Sequence, residues 1–169
     1  MHELSIRIVR QTFELFVTKG EIYTIPFTLP KELSGPANGI YIAAFETASK
    51  SPRGRVGSYM PSKPIMADEI RHQTITLAKT FYFCKRDLPF LGYELKIVDT
   101  PYFLSDLSFL SPEKGLLVRT HSGKSGVSMP EARKKTPKER LWEIRERDNI
   151  DEDASRFRLY EFDVQTIHE

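Results

Sequence analysis

The chain holds a single cysteine, Cys84, in 169 residues, so no internal disulfide can form and the fold must hold by packing and hydrogen bonding. No apolar run approaches the roughly 20 residues that a helix needs to cross a bilayer. Neither charge is in clear excess: Lys and Arg number 25 against 23 Asp and Glu, a formal net charge of +2. That surplus is too small to argue for nucleic acid or an anionic membrane, so any anion site must be local. The four histidines, His2, His72, His121 and His168, show neither HExxH spacing nor a CxxC partner, and no metal or cofactor is expected. Internal repeats and low-complexity tracts are also lacking. The opening MHELSIRIVRQ is amphipathic and charged rather than an apolar signal, which leads to the expectation of a soluble, cytoplasmic protein.

What is present is ordinary globular composition, 40% hydrophobic and 28% charged, in a chain long enough for one domain with a real core. From His2 to Lys19, Leu4, Ile8, Leu15 and Phe16, with Val9 and Phe13 beside them, recur at helical spacing, and Gly20 supplies a left-handed stop. Ile40–Phe45 reads as a strand. Met66, Ile70, Leu77 and Phe81 fall on one face of a second helix within Ile65–Phe83. Leu91–Val98 alternates like a strand with one wet face. Between Tyr102 and Leu110, strand and short helix cannot be separated. Gly115–Thr120 and Val127–Met129 flank HSGKSG as a hairpin. Thr136, Pro137 and Glu139 form a capping box that opens a third helix, which carries Leu141, Trp142 and Ile144 inward. Phe157–Ile167 alternates as one closing strand. Helices and strands interleave without regular βαβ units, which predicts an α+β fold with a largely antiparallel sheet and flanking helices.

The stretch PRGRVGSYMP, Pro52–Pro61, reads as a shaped loop in which Gly54 and Gly57 allow tight backbone and expose N–H groups. Arg53 and Arg55 beside them suit a carboxylate or phosphate; pairing with a carboxylate of the protein is the structural alternative. Gly123-Lys124-Ser125 lacks the glycine five residues earlier, where Val118 stands, so a hairpin turn is expected instead of a phosphate-binding loop. Cys84, between Phe83 and Lys85, reads as a small buried thiol at a helix end, with a reactive thiol as the alternative. The basic residues Arg133, Lys134, Lys135, Lys138 and Arg140 are interleaved with acids and read as a solvated, ion-paired face.

Three blocks together resemble a known family. RGRVGS from Arg53 to Ser58, ending at Pro61, lines up with the LRGCIG signature of the AMMECR domain, the conserved domain of the AMME-syndrome chromosomal-region protein. GLLVRTHSGKSGVSMPEA from Gly115 to Ala132 is similar to that family's GLIVR, GxxSG and LLLPQ run, and LYEFDVQTI from Leu159 to Ile167 to its closing strand. The resemblance implies a single domain over residues 1–169: an antiparallel sheet with helices, a smaller and mostly helical lobe, and the signature loop near a cleft the two lobes share. It also implies a pathway link to Memo-like and radical-SAM proteins. Arg55 stands where the signature has its cysteine, and a guanidinium can neither attack nor be deprotonated in a protein. The family's Asp-Pro-Arg-Phe-Pro segment is eroded around Cys84–Phe90.

Two functions follow as expectations. One is a non-catalytic binding or scaffold domain whose site is formed by Arg53, Gly54, Arg55 and Gly57 with Arg119 and Ser125, accepting a small anion or a protein partner. The other is an enzyme acting on a small substrate, with Cys84 or a histidine in place of the missing nucleophile.

Overall fold

The computed structural model describes residues 2–130, 135–151, 153 and 156–169. The chain divides into two compact units, Met1–Val98 with Gln165–Glu169, and Asp99–Val164. Each contains a four-stranded sheet, and the fold is α+β with antiparallel sheets and flanking helices.

In the first unit the strand order is β2-β1-β3-β8, with β1 Gly39–Glu46, β2 Pro52–Ser58, β3 Leu91–Val98 and β8 Val164–His168. The β1–β3 register pairs Ile40 with Ile97, Ile42 with Leu95 and Ala44 with Tyr93, so these side chains share one face. Helices α1, His2–Lys19, and α3, Met66–Thr80, bring Ile8, Val9, Phe13, Ile70 and Leu77 into the same buried cluster. On α1 the deepest stripe is Ile8, Val9 and Phe13, while Leu4, Leu15 and Phe16 are half-buried at its margin. Gly20, at φ 71, ends the helix by donating its N–H to the Phe16 carbonyl at 2.8 Å. A four-residue helix, α2 at Lys31–Ser34, adds Leu33 to the core. Glu69 is fully buried on α3, and its carboxylate is saturated. It accepts from the Ser62 N–H at 2.9 Å, the Lys63 N–H at 2.7 Å, the Ser62 hydroxyl and the Gln73 amide.

The second unit orders its strands β4-β7-β5-β6: β4 Tyr102–Leu104, β7 Arg158–Phe162, β5 Gly115–Arg119 and β6 Ser125–Ser128. The undecided Tyr102–Leu110 stretch holds both a strand and a 3-10 turn at Leu107–Phe109. The β5–β6 hairpin forms as expected. Gly123 sits at φ 88, and the Thr120 hydroxyl accepts the Lys124 N–H at 3.0 Å, so the GKS text is a turn. Helix α4, Pro137–Arg147, starts with the expected capping box and places Ile144 among Leu104, Leu116 and Val118.

Four expectations are corrected. The signature stretch is the edge strand β2, not a loop, because pairing with β1 extends it. Phe157–Ile167 is two strands in two sheets: buried Phe162 and Ile167 stand five residues apart, which a single alternating strand cannot place on one face. The smaller unit has its own four-stranded sheet and is not mostly helical. Trp142 is 62% exposed, and Arg140 takes the inward position instead.

Candidate functional site

The β2–β1–β3 register assembles the site. Arg55 pairs with Ala43, and Ala43 pairs with Glu94 on the far side. Opposed residues on antiparallel strands share a face, so Arg55, Ala43 and Glu94 form one row, on the face away from Ile42 and Ala44 and hence from the helices. The methyl group of Ala43 leaves space between two long charged side chains. That space is a cavity of about 780 Å³, whose lining includes Ala43, Phe45, Lys50, Arg55, Glu94 and His168.

Its charges are unevenly satisfied. Glu94 is engaged on both oxygens, by Lys96 at 3.0 Å and by His168 Nδ1 at 3.5 Å. Lys50, held at φ 57 in the turn after β1, places its ammonium 5.1 Å from the Phe45 ring centroid. The Arg55 side chain is exposed, and its guanidinium has no ion-pair or hydrogen-bond partner among the described residues. The cavity thus has an apolar wall in Phe45 and Ala43, a spent carboxylate at one side and an available guanidinium at the other.

Arg53 behaves differently. The register slips between Ala44 and Phe45, so Arg53 is the extra residue of a β-bulge, a device that re-aims a side chain. It is turned to Glu46 at 3.0 Å and Asp87 at 3.9 Å, in a separate, smaller cavity that those carboxylates line. Asp87 also accepts the Cys84 N–H at 2.8 Å. Hydrogen bonds from Cys84, led by that amide, hold its carboxyl below the ordinary value, with the Arg53 charge a smaller cause. Arg53 is therefore a structural cation, contrary to its assignment as a ligand contact.

Gly54 and Gly57 are explained by packing. A Cβ on Gly54 would lie 2.6 Å from the Phe81 ring. One on Gly57, whose φ is +153°, would lie 2.3 Å from the Ile40 carbonyl oxygen. They let the edge strand approach a ring and a neighbouring backbone, and need no ligand to account for them.

Arg119 and Ser125 belong to the second unit, as register partners on β5 and β6, and the cavity around Arg55 is lined without them. Cys84 is exposed rather than buried, and lies outside the lining of both cavities. In the basic run, Lys135 pairs with Glu143 at 2.9 Å, whereas Arg140 is buried and donates to the Ser128 hydroxyl and carbonyl at 3.1 and 2.9 Å. Arg133 and Lys134 lie outside the described residues. Sequence reasoning missed Phe45, Lys50 and Glu94 as cavity residues. Alternation in Leu91–Val98 did place Glu94 on the wet face, but only the register shows that this face carries Arg55.

No family model matches the chain. A protein of Thermotoga maritima is 26% identical over 131 residues, covering 75% of this chain and 72% of that one. The crystal structure of an uncharacterized protein from Pyrococcus horikoshii matches with a TM-score of 0.83 at 19% identity, over 99% of this chain and 91% of that one. At that identity the likeness establishes the fold alone: the chain shares its α+β architecture with the archaeal protein.

Proposed function

We propose that the first unit is a non-catalytic binding domain that accepts an anionic group at Arg55, with Lys50 as a second cation and Phe45 as an apolar wall. The observation that carries this reading is an exposed guanidinium, unpaired among the described residues, lining a cavity of about 780 Å³. A planar guanidinium gives a carboxylate or phosphate two parallel hydrogen bonds, and the neighbouring Arg53 shows that acids of this protein are used where pairing is structural. We further propose that the chain is a divergent AMMECR domain. Supporting this, the three resembling blocks fall on β2, on the β5–β6 hairpin and on β7–β8, and the position of the signature cysteine, with Pro52 and Gly54 beside it, lines the cavity. In that setting Arg55 would replace a thiol's chemistry with anion recognition, and the anion would come from a partner protein or a metabolite in a pathway with Memo-like and radical-SAM proteins.

The test is calorimetric titration of phosphate, acetate and citrate against wild type, Arg55→Ala and Arg53→Ala. Arg55→Ala should weaken the tightest of them at least tenfold, while Arg53→Ala should lower stability more than affinity. Equal affinity for wild type and Arg55→Ala would remove the site and leave Arg55 as the charge that guards an exposed sheet edge.

One observation favours an enzymatic reading of the same cavity. Glu94 faces His168 Nδ1 at 3.5 Å, an arrangement that orients the ring and leaves Nε2 for proton exchange. Under that reading His168→Gln abolishes turnover of a small anionic substrate while leaving its affinity intact, and Cys84→Ser changes neither.

A further inference from the structure

Lys50 is held in its place at a conformational cost. The turn between β1 and β2 closes with the Glu46 N–H donating to the Ser51 carbonyl at 2.9 Å and the Lys50 N–H to the Glu46 carbonyl at 2.8 Å, and it leaves Lys50 at φ 57. Hairpin turns ordinarily put glycine or asparagine in that left-handed backbone, because a side chain there crowds the following carbonyl. What Lys50 supplies and glycine cannot is an ammonium, seated 5.1 Å from the Phe45 ring centroid. The ring in turn leans over β3 through a gap left for it: a Cβ on Gly92, the register partner of Phe45, would lie 2.6 Å from the ring. A π face attracts a cation, so Phe45 holds the ammonium at the cavity that both residues line. The charges around that cavity do not balance. Glu94 is answered by Lys96 and His168, and Glu169 by Arg10 Nε at 2.5 Å, and neither Lys96 nor Arg10 is among the described lining residues. The Lys50 ammonium and the Arg55 guanidinium have no ion-pair partner among the described residues, which leaves two positive charges uncompensated at one cavity.

We propose that, with Arg55 as the anion contact described above, the ligand is a small-molecule phosphomonoester whose dianionic phosphate is clamped between Arg55 and Lys50 while its organic body lies over Ala43 and Pro52. A phosphomonoester carries close to two negative charges at neutral pH and offers three acceptor oxygens. The guanidinium fork takes two of these in parallel, and the ammonium, a compact point charge, takes the third. A single carboxylate brings one charge and leaves one cation unanswered. The two head groups are within reach of one phosphate: Arg55 stands in the row of Ala43, and Phe45, which carries the ammonium, is the next residue of β1 on that face, roughly 7 Å along the strand. Size argues for the organic body, since about 780 Å³ falls in the range of roughly 300–1,000 Å³ that small organic ligands occupy and far exceeds a bare phosphate. Phe45 is a positioning residue here: it aims Lys50 and leaves the phosphate to the two cations.

The experiment titrates the full chain at neutral pH with phenyl phosphate, with phenyl sulfate as its monoanionic near-isostere, and with phthalate as a dianion whose charges are separated. Calorimetry should show wild type binding phenyl phosphate about tenfold more tightly than either of the others. Lys50→Gly should erase that preference by weakening phenyl phosphate and leaving phenyl sulfate nearly unchanged. Without ligand the same variant should melt at or above the wild-type temperature, since glycine relieves the left-handed backbone, and this separates a binding role from a structural one. Lys50→Asn, which also tolerates that backbone, should match it in affinity, so that a loosened turn is not the cause. Phe45→Leu should lose most of the preference while keeping phenyl sulfate binding. Phenyl phosphate bound no more tightly than phenyl sulfate or phthalate, an unchanged preference in Lys50→Gly, or melting of Lys50→Gly below wild type would each overturn the clamp and leave Arg55 as an anion contact. Equal affinity of wild type and Arg55→Ala for both esters would instead remove the underlying site, and the clamp with it.

Discussion

The two units cover one face of a four-stranded sheet with very different means. In the first, α1 and α3 lay Ile8, Val9, Phe13, Ile70 and Leu77 against Ile40, Ile42, Tyr93 and Leu95, and α3 needs no side-chain cap at Ile65. In the second, the eleven-residue α4 buries only Ile144 and Arg140, leaves Trp142 exposed, and begins with a complete capping box. Apolar area is non-directional, and where it is plentiful a helix stays in place without help at its ends. Where it is scarce, position must come from directional contacts. The comparison predicts that apolar truncation damages the first unit most, and that loss of single hydrogen-bonding groups damages the second out of proportion to their size.

The largest effect is expected at Phe13. It is fully buried, edge-on to Phe83 at 4.8 Å and tilted against Tyr93 at 5.3 Å. Phe13→Ala should cost about 3–5 kcal/mol, combining lost transfer energy with the cavity left behind. Urea denaturation followed by far-UV circular dichroism measures it. Trp142 is the chain's one tryptophan and sits on α4, so its fluorescence reports the second unit. A fall in the circular dichroism midpoint that fluorescence does not share would show that the units unfold separately and sharpen the comparison into two stabilities.

Arg140 tests the other side. Arg140→Ala removes both hydrogen bonds that its guanidinium donates to the Ser128 carbonyl and hydroxyl, and should cost about 1–3 kcal/mol, read by Trp142 fluorescence. A cost near zero would mean that α4 is held by Ile144 and its neighbours alone, and the contrast between the units would collapse.

Much of this contrast could be read from the sequence, and the limits of that reading have a physical cause. The bounds of α1 and β3, the Gly20 stop and the Thr136 capping box follow from residues within a few positions of one another. In sequence β2 reads as a loop because Pro52, Gly54 and Gly57 are turn signals locally, while its extension is imposed by β1. The type of chemistry at Arg55 was legible in its side chain. Its separation from Arg53 was not, since one bulge between Ala44 and Phe45 sends adjacent odd-numbered arginines to different surroundings. Arg119 was visible as a candidate; its place on a strand of the second sheet, paired with Arg158 of β7, depends on residues distant in the chain.

The smallest of the expected effects discriminates best. Thr136 accepts the Glu139 N–H at 3.3 Å, and Glu139 returns a carboxylate oxygen to the Thr136 N–H at 2.7 Å, so two of the amides that a helix start leaves without partners are satisfied reciprocally. Thr136→Ala removes one of these bonds and should cost about 1 kcal/mol. Thr136→Ser keeps the acceptor oxygen and should recover most of that loss, whereas a role in packing the threonine methyl would leave Ser no better than Ala. In α3, where Ile65 supplies no such oxygen, Ile65→Ala should cost what its 39% exposure and apolar contacts dictate, with no rescue by Ser. Rescue at Thr136 without rescue at Ile65 ties the end of α4 to a directional bond and the end of α3 to burial, which is the difference between the two units reduced to one atom.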